Sequence, residues 1–173
     1  GFWSTPPGER FDFAGTHYTV ADSPAMPKPV QSPRPPIVMG GFGPTRTPRM
    51  AATYADEFNV PFAGPDVVAD RRDTVMAACE ARGRDPESIV FSVAQVVCCG
   101  TDDAELARRA AAIGREVAEL RDNGVAGLPE ECAARILAMA DAGVSRVYQQ
   151  VLDDTDTDHL RTIVDEVVPL LDA

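Results

Sequence analysis

The sequence predicts an α/β fold organised around a parallel sheet. Two observations carry this: short apolar runs alternate with helix-period segments, and the runs are apolar enough to be covered on both faces. Strands of that kind are joined by helical crossovers, and the pattern gives four β-α units with one extra helix after the third strand. Two architectures share this pattern, an open doubly wound sheet and part of a (β/α)8 barrel. A complete barrel takes about 250 residues. On the barrel reading, 173 residues that include a 35-residue excursion have room for only about half of one.

The elements follow in order. Residues 1–35 are set apart as an excursion, and residues 36–173 carry the α/β pattern. Phe11-Asp12-Phe13 and His17-Tyr18-Thr19-Val20 alternate about a Gly15-Thr16 turn, which predicts a hairpin. Pro24 to Pro36 is extended, because each proline fixes its own φ and biases the residue before it away from helix. Pro36 to Met39 is the first apolar run and ends in Gly40-Gly41-Phe42-Gly43-Pro44. A helix with Met50, Ala51 and Tyr54 on one side follows, then a second run over 56–60. Residues 66–82 form a helix carrying Val67, Val68, Val75, Met76 and Cys79. Ile89 to Cys99 is the longest β-like run. Residues 103–122 form one helix, since Leu106, Ala110, Ile113, Val117 and Leu120 recur every three or four positions. Gly127 and Pro129 punctuate, and a helix with Ile136 and Met139 leads to Gly143. Arg146 to Leu152 is the fourth strand. The last helix spans 158–171, with Leu160, Ile163, Val164, Val167 and Leu171 apolar.

Composition narrows the function. Acidic residues outnumber basic ones 27 to 16, for a formal charge of −11. Such a surface repels phosphate backbones and anionic lipids, which argues against nucleic-acid and membrane partners. No apolar run reaches the ~20 residues of a membrane span, and no signal peptide opens the sequence, so a cytoplasmic location is expected. Cys79, Cys98, Cys99 and Cys132 have no CxxC spacing. Cys98 and Cys99 fall on opposite faces of a strand, so free buried thiols are expected. Fifteen of the 16 basic residues are arginine. The single lysine, Lys28, sits in the proline-rich stretch, which argues against Schiff-base chemistry.

The strongest local signal is Gly40 to Arg46. Glycines between a strand and a helix let backbone approach a ligand, and the helix N-terminus offers unpaired N–H groups and a positive dipole end. Thr45 adds a hydroxyl and Arg46 a charge-assisted bond to phosphate. A tight turn with no ligand uses glycines in the same way, and the string is neither GxGxxG nor a Walker loop. His17 and His159 are far apart in the sequence and make no metal motif. Asp153 to Asp158 lacks the glycine and terminal glutamate of an EF-hand loop and reads as solvated loop and helix cap. On the fourth strand Tyr148 and Gln150 share one face, and Val147 and Val151 the other. Gln150 then looks inward, as either a ligand contact or a hydrogen-bonded core residue. No GxSxG, HExxH or Cys–His motif is present.

Longer strings carry a resemblance. Phe13-Ala14-Gly15-Thr16-His17-Tyr18, Lys28-Pro29-Val30-Gln31 and Pro35 to Gly41 occur in order. Ala51-Ala52-Thr53-Tyr54-Ala55-Asp56-Glu57-Phe58-Asn59, Gly83-Arg84-Asp85-Pro86-Glu87-Ser88-Ile89 and Ala142 to Tyr148 follow. Together they resemble the luciferase-like monooxygenase family, in particular its actinobacterial coenzyme F420-dependent group. The resemblance implies the C-terminal half of a (β/α)8 TIM barrel, strands five to eight. It implies an oxidoreductase that transfers hydride between coenzyme F420, or alternatively FMN, and a small organic substrate, in a homo-oligomer. The loop after strand five would hold the coenzyme's phosphate end through Gly40, Gly41, Phe42, Gly43 and Thr45, with Arg46 as an added contact. Asn59, just after strand six, and Gln150, on strand eight, would face the coenzyme. Some members place a lysine beyond strand six; here Asn59 to Gly64 supplies none, leaving Arg46 or Arg49 to balance charge. No catalytic acid or base is named, because the family's first four strands supply much of the pocket.

Gly1-Phe2-Trp3 reads as the end of an element, so the chain is expected to be a piece of something longer and inactive by itself. The alternative is a non-catalytic half-barrel subunit that acts through homo- or hetero-association. On the half-barrel reading, the inner strand residues, including Phe91, Val93 and Tyr148, are expected to be exposed.

Overall fold

The computed structural model describes residues 1–172. The chain forms two compact units, residues up to Ile37 and residues from Val38 onward. In the first unit the expected hairpin is present. Strand β1 (Phe11–Ala14) pairs antiparallel with β2 (Thr19–Ser23), and the Gly15 N–H donates to Tyr18 O at 2.9 Å across the turn. The Asp22 N–H donates to Asp12 Oδ1 at 2.8 Å and ties the far end. The proline-rich stretch after Ser23 has no helix or strand, as fixed φ angles and missing donors dictate.

The second unit is a five-stranded parallel sheet. Its strands are β3 (Val38–Gly40), β4 (Glu57–Pro61), β5 (Val90–Cys99), β6 (Val125–Gly127) and β7 (Arg146–Gln150). Registers run Gly40 opposite Asn59, Asn59 opposite Ser92, and Ser92 opposite Arg146. Backbone bonding fixes which edge of β5 each neighbour takes. The Val90 N–H donates to Asp56 O, Ala94 O accepts from Phe62, and the Gly100 N–H donates to Gly127 O, so even-numbered peptides face β4 and β6. Phe91 O accepts from Ser145, so odd-numbered peptides face β7. The main order is thus β3-β4-β5-β7. Strand β6 extends the upper end of β5, opposite Val97 to Cys99. The sequence reading has only a turn at β6, since three residues ending in glycine carry no periodicity of their own.

Helices α1 (Arg46–Tyr54), α2 (Pro65–Glu80) and α5 (Pro129–Asp141) fall in the expected places. The helix expected over 103–122 is two, α3 (Asp103–Ala112) and α4 (Val117–Asn123). Gly114 between them has φ +68°, which ends α3. The apolar stripe survives the break: Leu106, Ala110 and Leu120 bury together against Val96, Cys98 and Ala126. The last helix is also shorter than expected. Helix α6 (Thr157–Thr162) passes into a π turn over Ile163–Val167 and a 3-10 turn over Val168–Leu171.

Side-chain alternation on β5 decides the inside of the sheet. Phe91 and Val93 are 6% and 0% exposed, packed with Phe58, Val60, Val75 and Met139 under the helices. The expectation that they would lie exposed on the inner face is wrong by one residue of phase. The inner face carries Ser92 and Ala94 instead. Tyr148 does face that side and is 44% exposed. Cys98 and Cys99 fall in different clusters, on opposite faces as expected, and all four cysteines are free and buried. No helix of the described residues is long and apolar enough to cross a membrane.

Candidate functional site

The glycine loop leaves the C-terminal end of β3, the end at which parallel sheets place ligands. Gly41 has φ +129°, a conformation that disfavours any side chain. At Gly43 a Cβ would collide with Thr47 Oγ1, and at Gly40 one would stand 2.7 Å from the Asn59 carbonyl oxygen. The loop therefore approaches both α1 and β4 as bare backbone. Helix α1 starts with Thr45 at its N-cap, which makes no side-chain capping bond, and no acidic residue lies in the first turn. Helices α3 and α6 differ: Asp102 accepts from the Glu105 N–H, and Asp156 from the His159 N–H. Their positive ends are already neutralised by their own carboxylates, whereas that of α1 is not. Arg46 and Arg49 are exposed and form no ion pair among the described residues. Phe42 is half exposed, and its carbonyl accepts from Arg71 Nη1 at 3.2 Å, which anchors the loop to α2.

Beside this loop the inner face holds a polar network. Asn59 lies in the middle of β4, not after it as expected, in register beside Gly40. Its Nδ2 donates to Ser92 Oγ at 2.9 Å, and Ser92 Oγ donates to Glu57 Oε1 at 2.6 Å. Glu57 Oε2 accepts from Arg146 Nη1, which also donates to the Tyr148 hydroxyl oxygen at 3.3 Å. The guanidinium carbon lies 5.9 Å from the Tyr148 ring centre. Tyr148 and Glu57 both favour the charged form of Arg146 and hold its pKa above the ordinary value. Gln150 ends β7 exposed, opposite Val96, and so sits further along the strands than Asn59. Val147 and Val151 pack on the other face, as the alternation predicts. The signal for the network is present as polar residues two apart, Glu57 and Asn59, then Arg146 and Tyr148. Their partners need the register.

A second cluster closes the end of β5. Arg109 is 4% exposed. Its Nη1 donates to Cys99 O at 2.5 Å and its Nε to Asp156 Oδ2 at 3.2 Å. Its Nη2 stands 2.9 Å from Glu105 Oε1 but makes no hydrogen bond, so that contact is charge on charge. His159 Nε2 accepts from the Cys99 backbone N–H at 3.0 Å, a link that no sequence spacing reveals. Burial, reinforced by Arg109, holds the His159 pKa below its ordinary value. Burial pushes Asp156 up, but the His159 N–H, Arg108 and Arg109 outweigh it and hold Asp156 at about 2. Burial also pushes the Cys98 thiol to about 11. The described residues contain no group of three or more His, Cys, Asp or Glu placed to hold a metal.

Known proteins share this architecture. Residues 1–123 match a family model described as luciferase-like monooxygenase. Among solved structures, an F420-dependent secondary alcohol dehydrogenase in complex with an F420-acetone adduct superposes with a TM-score of 0.79 at 15% identity. That match covers 98% of this chain and 58% of the other. A coenzyme F420-dependent tetrahydromethanopterin reductase from Methanopyrus kandleri gives 0.76 at 14% identity, over 97% and 59%. The oxygenating constituent of 3,6-diketocamphane monooxygenase from Pseudomonas putida, in complex with FMN, gives 0.63 at 18% identity, over 94% and 58%. The chain thus spans under two thirds of the length of these structures. Their shared architecture is the (β/α)8 barrel, of which this sheet is a part.

Proposed function

The chain belongs to the luciferase-like monooxygenase family, and on that premise we propose that it supplies the phosphate-holding side of a coenzyme F420- or FMN-dependent oxidoreductase. The observation that carries this reading is the Gly40 to Arg46 loop: bare backbone at the C-terminal end of β3, running into a helix whose positive end has no acid and no side-chain cap. That cradle fits a phosphate group. Backbone N–H groups of the loop and of the first turn of α1 would bind its oxygens, with the Thr45 hydroxyl beside them and Arg46 supplying opposite charge. The coenzyme, when bound, supplies hydride transfer to or from a small organic substrate, and FMN adds reactivity toward oxygen.

The chain's own residues bind and orient. Gly40 and Gly43 keep the phosphate close to the sheet, because any side chain there collides with the Asn59 carbonyl or with Thr47. Asn59 and Gln150 would face the coenzyme from β4 and β7. Local N–H groups and Arg46 must work against a net charge of −11, which favours short-range backbone contacts over long-range steering.

Fluorescence titration of the protein at its full natural length, with coenzyme F420 and separately with FMN, tests the reading. Saturable binding of one of them is expected, with Gly43→Val weakening it at least about tenfold, on the scale of losing one or two good hydrogen bonds. If neither coenzyme binds, the proposal is wrong.

A further inference from the structure

We propose that Asn59 is a specificity-determining residue that offers the bound ligand a hydrogen-bond acceptor, and that Glu57 and Ser92 set this polarity. The inference rests on the coenzyme reading of the site and adds the chemistry of one contact to it.

The donors and acceptors around Asn59 have one consistent arrangement. Glu57 is almost fully buried and pairs with the Arg146 guanidinium, so its carboxylate only accepts. Ser92 Oγ lies 2.6 Å from the other carboxylate oxygen and 3.4 Å from the Phe58 carbonyl oxygen, both of them acceptors, and its single proton goes to the nearer and charged one. The Ser92 oxygen is then an acceptor toward its remaining neighbour. Asn59, at 2.9 Å, must therefore turn its NH2 end to Ser92. Its Oδ1 accepts no hydrogen bond among the described residues. An amide whose two ends are normally interchangeable is thus oriented by a charge two groups away.

Position makes the orientation matter. Asn59 is in register beside Gly40, whose missing side chain leaves the inner face open at that point. Adjacent strands lie about 4.8 Å apart, so a ligand held on the glycine loop passes within reach of the Asn59 side chain. The ligand group meeting it must be a donor: an imide or amide N–H, or a hydroxyl. A site built to accept discriminates strongly against an analogue lacking that donor, because the amide oxygen is then left unpaired.

Glu57→Gln tests this in the protein at full natural length. The amide introduced by that substitution can donate to Ser92, which lets Ser92 donate in turn and Asn59 reverse. The side-chain amide signals of Asn59, followed by NMR with Asn59→Ala for assignment, should move in Glu57→Gln. Affinity for whichever coenzyme the unaltered protein binds should fall at least about tenfold in both Glu57→Gln and Asn59→Ala. The double variant should bind no more weakly than Asn59→Ala alone, because Glu57 acts only through Asn59. Additive losses, or unmoved amide signals, overturn the inference while leaving the coenzyme reading intact. Should Glu57→Gln not fold, Ser92→Ala enters the same cycle, with the same non-additivity expected and additivity again overturning it. Failure of the unaltered protein to bind either coenzyme removes both proposals together.

Discussion

His159 shows how much a single residue's meaning depends on its neighbours. In the sequence it is an isolated histidine in the last helix. In the fold its Nε2 accepts the Cys99 N–H, so the ring must be neutral to keep that bond, and burial with Arg109 nearby lowers its pKa. The unfolded chain takes up a proton near the ordinary histidine value of about 6.5, whereas the folded one does not. Folded stability is therefore full above that pH and declines as pH falls below it. Urea unfolding between about pH 7.5 and 5.5, a window set around that ordinary value, should show the decline, and His159→Gln should flatten it. A wild-type midpoint indifferent to pH there would contradict the assignment. Asp156, held at about 2, adds stability present above the unfolded carboxylate value and lost only as pH falls toward 2. At the glycine loop the sequence is more legible. Gly41 and Gly43 need no distant partner to be recognised as a bare-backbone turn, because their spacing between strand and helix is local. Asn59 is legible as a polar residue near the loop, yet its partner Ser92 lies on another strand, where no local pattern points to it.

At the scale of elements, helix and strand existence comes from periodicity, and the errors come where periodicity is silent. The three-or-four spacing from Leu106 to Leu120 is blind to a break, because Gly114 can reverse the chain and still leave Ile113 and Val117 packed on the same cluster. Strand β5 shows the opposite limit. Both of its faces are apolar, so alternation does not say whether Phe91 or Ser92 looks inward; only packing against Met139 and Phe58 decides. Helix α5 offers a test of that phase. Met139 is fully buried against the strands, whereas Leu137, two positions earlier, is 44% exposed. Met139→Ala should cost about 2–5 kcal/mol in urea unfolding, and Leu137→Ala should stay within about 0.5 kcal/mol. Equal effects would mean that the helix is rotated from the position described.

The whole sheet is the scale at which a partial barrel has physical consequences. Among the described residues, β3 and β7 each pair along one edge, and the inner face carries half-exposed Val38, Tyr148 and Arg146. Unpaired edges and an uncovered sheet face drive association. Expressed as these 173 residues, the chain should sediment as a dimer or larger species, shifting toward monomer in mild denaturant. A monomer at all concentrations would show that the face is content in water. The sequence by itself determined the α/β class, the parallel sheet, the glycine loop and the family, because each is written in local spacing or in strings of adjacent residues. Tertiary structure decided which face of β5 is inner, where β6 joins, and how Asn59, Ser92, Glu57 and Arg146 meet. Those depend on strand register, and register is set by contacts between residues 33 to 89 positions apart, which no local pattern records.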